Sequence, residues 1–257
     1  MRKGQADSGN RIPIEGPKLV REALRSHLTI EEVYLCASRI QESELEEIRK
    51  ETEDVGANTW LVADRVYRSL VETETPQGVV AVVKLPEFQL DQVARDSSFL
   101  ILADQLQDPG NLGTLVRSAE AFGAKAILLT ENTVSPANQK VVRASAGSLF
   151  RMPVLTGFKL HRLLDDLHQR AFMLVGTVPR GGQDFRHVDY RGPTVLVVGN
   201  EGSGLSSSAL ERIRLRVTIP LPPNVESLNV AVASSIIFSE VARQRQKDAR
   251  NSLKKPD

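Results

Sequence analysis

The strongest constraint on the fold is a set of continuous apolar runs separated by helical stretches. Residues 98–103 read SFLILA, 126–130 AILLT, 172–177 FMLVGT and 194–199 TVLVVG. A strand that is apolar at successive positions has no face to offer to water, so it belongs in a parallel sheet covered on both sides. Helical periodicity fills the gaps at 111–122, 138–144 and 160–170. A short helix at 207–213, a strand at 216–219 (RVTI) and a long apolar helix from Leu228 to about Gln246 complete the series. Such alternation specifies the α/β class, with a parallel sheet between helical layers.

A smaller alternation precedes it. Residues 15–25 put Leu19, Val20, Ala23 and Leu24 on one helical face, and EEVYLC (31–36) reads as a strand. A charged helix follows at 42–53, a short strand at 59–62, a helix at 64–70 capped by Asp64, and the β-branched strand VVAVVK at 79–84. That span of about 70 residues suffices for a small α/β domain. Proline and a charge shift in LPEFQLDQVARD mark a linker. The expected organisation is therefore a flexible lead at 1–11, a first domain at 12–85, a linker at 86–96, a second domain at 97–247 and a flexible basic tail at 248–257.

Composition narrows the function. With 41% hydrophobic residues, 25% charged residues and a net charge of +1, the chain is no histone-like electrostatic binder, although a local basic face is compatible with it. A lone cysteine, Cys36, forms no disulfide framework or zinc site by itself and reads as a small buried apolar residue. His27, His161, His168 and His187 lack metal-ligand spacing, so no metal is expected. No apolar run approaches the roughly 20 residues that span a bilayer, and MRKGQADSGNR lacks a secretory apolar segment. The expectation is no membrane and a cytoplasmic location. No Ser-His-Asp or Cys-His arrangement supports nucleophilic hydrolysis.

Three glycine-rich blocks stand out, at 108–124 (DPGNLGTLVRSAEAFGA), 195–206 (VLVVGNEGSGLS) and 219–240 (IPLPPNVESLNVAVASSIIFSE). In the first, Asp108 and Asn111 suit a helix N-cap and Pro109-Gly110 a turn, which taken alone describes any strand-to-helix connection. Arg117 lies in the second turn, off the apolar face of Leu112, Leu115, Val116, Ala119 and Phe122. It reads either as a solvated or ion-paired residue or as a guanidinium matched to phosphate oxygens. The second block ends a strand, where open α/β sheets bind ligands. Its glycine spacing is not the dinucleotide fingerprint and it lacks the lysine of a P-loop. Gly199, Gly202 and Gly204 permit close backbone approach, and Glu201 could simply satisfy nearby N–H groups. In the third block Pro220, Pro222 and Pro223 break the chain after a strand. Ser227 reads as a helix N-cap, and Asn229 is out of place at the start of an apolar helix unless its amide is used.

In this order the blocks resemble the three motifs of the SpoU (TrmH-like) class of SPOUT RNA methyltransferases. VRASAGSLFRMPV (142–154) resembles that family's Ser-Ala-Gly-Ala-X-Phe segment, with Ser145 and Gly147 matching. The resemblance covers residues 97–246 strongly, and residues 12–84 look like the L30e-like substrate-binding domain of ribosomal-RNA members. It implies a deep trefoil knot in the C-terminal segment, S-adenosylmethionine as cofactor, a homodimer through the SPOUT domain, and methyl transfer to a ribose 2′-hydroxyl. The first domain favours ribosomal RNA of the 23S type over transfer RNA as the partner.

Carried over by motif, the catalytic set is Asn111, Arg117, Glu201, Ser227 and Asn229, all present in this sequence. Arg117 would come from the partner subunit to bind a phosphate and help activate the hydroxyl. Asn111, Ser227 and Asn229 would position it and the ribose, and Glu201 would order its loop. Thr177, Gly199, Ile219, Leu221, Leu228 and Asn229 would hold the cofactor. Arg11, Lys18, Arg21 and Arg25 are the leading RNA contacts, the last three spaced along one side of a helix, with Arg39, Arg65 and Arg68 as weaker ones. The competing readings are a transfer-RNA 2′-O-methyltransferase, a non-catalytic RNA-binding or ribosome-assembly protein that keeps the fold, and a SPOUT enzyme that methylates a base nitrogen.

Overall fold

The structure is a computed structural model that describes residues 10–95 and 99–252. The expected lead before residue 10, the end of the tail beyond 252 and residues 96–98 at the linker boundary lie outside the described residues. Along the chain run β1 (Arg11–Glu15), α1 (Pro17–Arg25), β2 (Thr29–Cys36), α2 (Ser43–Asp54), β3 (Asn58–Val62), α3 (Asp64–Leu70) and β4 (Val79–Lys84). Then come α4 (Leu90–Arg95), β5 (Phe99–Ala103), α5 (Pro109–Ala121), β6 (Ala126–Thr130), α6 (Gln139–Ser145), β7 (Val154–Phe158), α7 (Leu160–Gln169) and β8 (Met173–Thr177). The last elements are β9 (Gln183–Asp184), β10 (Thr194–Val198), α8 (Ser207–Arg212), β11 (Leu215–Thr218) and α9 (Val230–Ser252).

The chain divides into two compact units. The first holds the residues up to Glu87 together with Ala137–Arg151. Its four-stranded sheet has the order β1-β4-β2-β3, antiparallel except for the β2–β3 pair. Central β4 is buried from Val79 to Val83, as its β-branched run requires. Strand β1 was not anticipated. Its Arg-Ile-Pro-Ile-Glu alternation buries Ile12 and Ile14, and Pro13 is tolerated because β1 is an edge strand. The first helix therefore starts at Pro17, with proline at its first turn, rather than at Glu15. Asp64 does not cap α3 either: Ala63 is the N-cap. The Asp64 carboxylate instead accepts the Ser38 hydroxyl at 2.8 Å and the Cys36 thiol at 3.2 Å. Those two hydrogen bonds, Ser38 first, hold it below the usual carboxylate range. Cys36 is buried, as read from the sequence.

The stretch 137–151 sits in this unit through its own contacts. The Gln139 amide donates to the Pro13 carbonyl at 2.6 Å, and the Arg151 guanidinium reaches Glu22 at 3.1 Å and the Ser26 hydroxyl at 3.0 Å. Ser145 is buried and donates to the Val142 carbonyl at 2.8 Å. At Gly147, with φ of 90°, a Cβ would stand 3.0 Å from Cβ of Glu22. The Ser-Ala-Gly segment is here a turn that brings the backbone close to α1.

The second unit is a seven-stranded sheet of order β7-β6-β5-β10-β8-β11-β9, parallel throughout. Strands β5, β6 and β10 are buried at every position, the outcome their continuous apolar runs demand. Strands β7 and β9 occupy the two sheet edges and were not anticipated, because VLTGF and a two-residue pairing carry little apolar pattern. Residues 90–95, taken as linker, form α4, and Val93 and Ala94 join the core with Leu100, Leu128 and Val197. At the other end α9 runs to Ser252, six residues beyond the expected stop at Gln246 and into the expected flexible tail. Lys247, Ala249 and Arg250 are good helix formers, and no glycine or proline interrupts the stretch.

Candidate active site

The parallel sheet brings the three glycine-rich blocks to one edge. The amide of Asp104, just past β5, donates to the Val198 carbonyl at the end of β10 at 2.8 Å, so the loops that follow both strands leave side by side. The Asp104 side chain is buried and accepts the Thr130 hydroxyl at 3.0 Å and the Ser206 hydroxyl at 2.8 Å. Ser206 in turn caps α8. A buried carboxylate needs such partners, and Asp104, through its amide to Val198 and its side chain to Ser206, holds both sides of the glycine turn in the second block.

The second block folds back on itself. Asn200 and Gly204 exchange backbone hydrogen bonds of 3.0 and 2.9 Å, and the Asn200 side chain accepts the Gly202 and Ser203 amides while donating to the Gln105 carbonyl at 2.9 Å. The loop is so tight that a Cβ on Gly199 would lie 2.2–2.4 Å from the backbone of Gly204 and Leu205. Only glycine fits there.

Glu201 reaches from this loop to the first block. Its carboxylate accepts the backbone amides of Gln107 at 3.1 Å and Asp108 at 2.9 Å, and the Asn111 side-chain amide at 3.1 Å. Burial pushes the Glu201 carboxyl up, but the hydrogen bonds from Asn111 and from the Asp108 and Gln107 amides outweigh it, leaving the group below the usual carboxylate range. Asn111, in the first turn of α5 behind the N-cap Asp108, accepts at its Oδ1 the Asn229 amide at 2.8 Å. Asn229 then accepts the Ala231 and Val232 amides at 2.9 and 3.2 Å, capping α9. One hydrogen-bonded chain thus joins all three blocks in the order Glu201, Asn111, Asn229. The α9 cap is Asn229 and not Ser227, whose hydroxyl makes no hydrogen bond among the described residues.

Beside this chain lies a cavity of about 570 Å³. Of the residues singled out from the sequence, Asn111, Thr177, Gly199, Glu201, Ile219, Leu221, Ser227, Leu228 and Asn229 all line it. Thr177 donates to the Val197 carbonyl at 3.2 Å. Arg117 does not line the cavity: it is exposed on α5 and makes no hydrogen bond or ion pair among the described residues. Sequence reasoning missed Asp104 and Asn200. A charge that ends a fully apolar run, and an asparagine before a Gly-X-Gly turn, were the available signals. Of the expected RNA contacts, Arg11 pairs with Glu31 and Glu32, Arg21 with Glu44 and Glu47, and Arg25 with Glu22, whereas Lys18 is exposed. Among the described residues no cluster of His, Cys, Asp and Glu could hold a metal ion, and no helix is long and apolar enough to cross a membrane.

A parallel sheet with a hydrogen-bonded polar chain and an apolar cavity at its carboxyl edge defines a ligand-binding α/β enzyme fold. Comparison with known proteins makes the class specific. The SpoU rRNA Methylase family matches residues 98–239, and the family described as RNA 2′-O ribose methyltransferase substrate binding matches residues 13–89. The chain is 34% identical over 235 residues to the 23S rRNA (guanosine(2553)-2′-O)-methyltransferase RlmP of Bacillus subtilis, covering 91% of this chain and 90% of that protein. It is 32% identical over 222 residues to the 23S rRNA (guanosine-2′-O-)-methyltransferase RlmB of Ralstonia nicotianae, covering 84% and 89%. Among solved structures, the SpoU methyltransferase AviRb from Streptomyces viridochromogenes, in complex with the cofactor AdoMet, superposes with a TM-score of 0.83 at 29% identity, covering 92% of this chain and 91% of that one. The chain belongs to the SpoU family and is an RNA ribose 2′-O-methyltransferase.

Proposed function

We infer that the protein methylates a ribose 2′-hydroxyl of 23S-type ribosomal RNA with S-adenosylmethionine as methyl donor. The observation that carries the reading is the Glu201–Asn111–Asn229 chain, which gathers the three sequence blocks around a single cavity. The cavity suits the donor. Its volume is that of a small-molecule site, its walls include Val178, Leu210 and Ile237, and the glycine-rich turn presents backbone groups with no side chains in the way. Thr177, Gly199, Ile219, Leu221, Leu228 and Asn229 would hold it.

When bound, S-adenosylmethionine would supply a sulfonium methyl: a C–O bond would form as the S–C bond breaks, its electron pair would return to sulfur, and the 2′-hydroxyl proton would pass to water. The protein must align the hydroxyl with that methyl and raise its nucleophilicity. Asn229 and Asn111, each fixed by a hydrogen bond to the other, present a rigid polar edge, and the unpartnered Ser227 hydroxyl adds a group for the ribose. Glu201 acts by locking the loop to α5. A guanidinium has five donors and no acceptor, so Arg117 serves as a phosphate clamp and as a counter-charge to the developing alkoxide, not as a base.

Arg117 lies away from the cavity of its own chain, and this supports a homodimer in which each subunit supplies its arginine to the other. The surface beside it suits such contact: α9 packs against α5, with Ser235 bonded to Ser118 at 2.7 Å, and leaves Val232 and Ile236 exposed one turn apart. The knotted path of the C-terminal segment is part of the same reading. It is supported by the place of late strand β10 at the sheet centre, between β5 and β8. The reading places the enzyme in the cytoplasm, with ribosomal RNA.

The test is to incubate purified protein with methyl-labelled S-adenosylmethionine and either large-subunit ribosomal RNA or transfer RNA, then digest to nucleosides. Label in a 2′-O-methylnucleoside from ribosomal RNA is expected. Label in a methylated base, or in transfer RNA alone, would contradict the assignment. Absence of both transfer and cofactor binding by calorimetry would favour the non-catalytic reading.

A further inference from the structure

The first unit carries a surface whose chemistry differs from that of the α1 strip. Arg21 is held by Glu44 and Glu47 at 2.9 Å each, and Arg11 and Arg25 are likewise committed to glutamates of their own unit. Arg65 and Arg68 on α3 are exposed and form no salt bridge among the described residues, although the charge of Arg68 acts on Asp64. The same region holds most of the exposed large apolar side chains among the described residues: Trp60 at 55% and Leu61 at 57% on β3, with Val66 and Leu70 on α3.

Trp60 and α3 share one face of the sheet, whereas Leu61, one position along β3, points to the other. Trp60 pairs with Tyr34 and Val62 with Cys36, so alternation puts all four side chains on the same side of the sheet. α3 sits on that side, its Tyr67 packed against Cys36 and Val62. Strand β3 is the edge strand, so the Trp60 ring faces water beside the helix that carries the two uncommitted arginines. Alongside Arg68 a cavity of about 450 Å³ is lined by Ser38, Asp64, Tyr67 and Glu72. Carboxylates repel a phosphate but accept hydrogen bonds from base amino groups.

We propose that this β3–α3 face binds an unpaired stretch of RNA, with a base stacked on Trp60 and the adjacent phosphates held by Arg65 and Arg68. Exposed guanidinium groups on a helix next to an exposed indole are a pairing that suits single-stranded nucleic acid, whereas a purely apolar partner would leave both charges unmatched. The proposal rests on the RNA-methyltransferase reading and adds to it where the substrate is gripped.

Trp60 is the chain's single tryptophan, so its emission reports on this face alone. Titrating the full-length protein with a mixed-sequence 20-nucleotide unstructured RNA should quench that emission saturably. Trp60→Ala should weaken RNA binding about tenfold and Trp60→Phe far less, because a smaller ring still stacks. Arg65→Ala and Arg68→Ala should each lower the slope of log affinity against log salt by about 0.7, the value for one single-strand phosphate contact. All four variants should bind S-adenosylmethionine as the wild type does. RNA that binds wild type and Trp60→Ala equally, without quenching, overturns the placement alone. So does a blue-shifted emission that appears on raising protein concentration without RNA, which would assign the face to a second copy. A wild type that binds S-adenosylmethionine but no RNA overturns both the placement and the reading beneath it.

Discussion

Glu201 stands between Asn200 and Gly202 on a loop that offers it few partners, and it finds them on another part of the chain. Its two oxygens take the amides of Gln107, Asp108 and Asn111, so ionisation is favoured in the folded state. A carboxyl whose folded pKa lies below its ordinary value of 4.5 contributes stability that is complete above that value and is lost as pH falls through the lower, folded one. S-adenosylmethionine affinity should therefore stay level from neutral pH to about pH 5 and fall in more acid solution, and calorimetry across that range checks it. Glu201→Ala should cost about tenfold in kcat/KM through disorder of the loop, with the fall in acid removed; an unchanged kcat/KM would show that the tie is dispensable. At this scale the sequence disclosed residue types better than contacts. Asn229 looked out of place unless its amide was used, and it is used twice, by Asn111 and by the α9 cap. Ser227 looked like that cap because serine is a good one; the helix starts later than the pattern suggested, and the cap falls to Asn229.

Among elements, the fully apolar strands were plain in the sequence, and of the four edge strands only β3 was read. β5, β6 and β10 are buried on both faces and must be apolar throughout. β1, β7 and β9 lie at sheet edges and bury no more than two side chains each, so their composition resembles that of loops. The segment 137–151 exposed another limit. Its helical pattern was readable, but nothing in it announces that Gln139 and Arg151 bond to the first unit. The second block, by contrast, was legible as a close approach. Gly199→Ala places a methyl within 2.4 Å of the Gly204–Leu205 backbone, which no rotamer change relieves. The loop must open, and S-adenosylmethionine affinity should drop at least about 100-fold while far-UV circular dichroism stays near wild type. Retention of affinity within a factor of two or three would mean that the loop is more pliant than its hydrogen bonds suggest.

In the molecule as a whole, the order of three short blocks in the chain becomes their convergence at one edge of a parallel sheet, and eight of the residues singled out in them, together with Thr177 from β8, line a single cavity. Arg117 is the exception, exposed on α5 and without a hydrogen bond or ion pair among the described residues. No feature of a single chain's sequence reveals that a residue acts in a neighbour's site. Its separation from the cavity in the folded chain is what supports a second subunit. The most direct measurement uses two variants that fail for different reasons. Arg117→Ala removes the clamp, and Asn229→Ser keeps a cap oxygen for α9 while losing the amide to Asn111. Each alone should transfer little methyl to ribose. Mixed in equal amounts and allowed to exchange subunits, they should recover about a quarter of wild-type 2′-O-methylation, because half the dimers then carry one complete site of two. An Arg117→Ala protein that is folded and turns over at the wild-type rate, or a mixture no more active than its parts, would contradict the account.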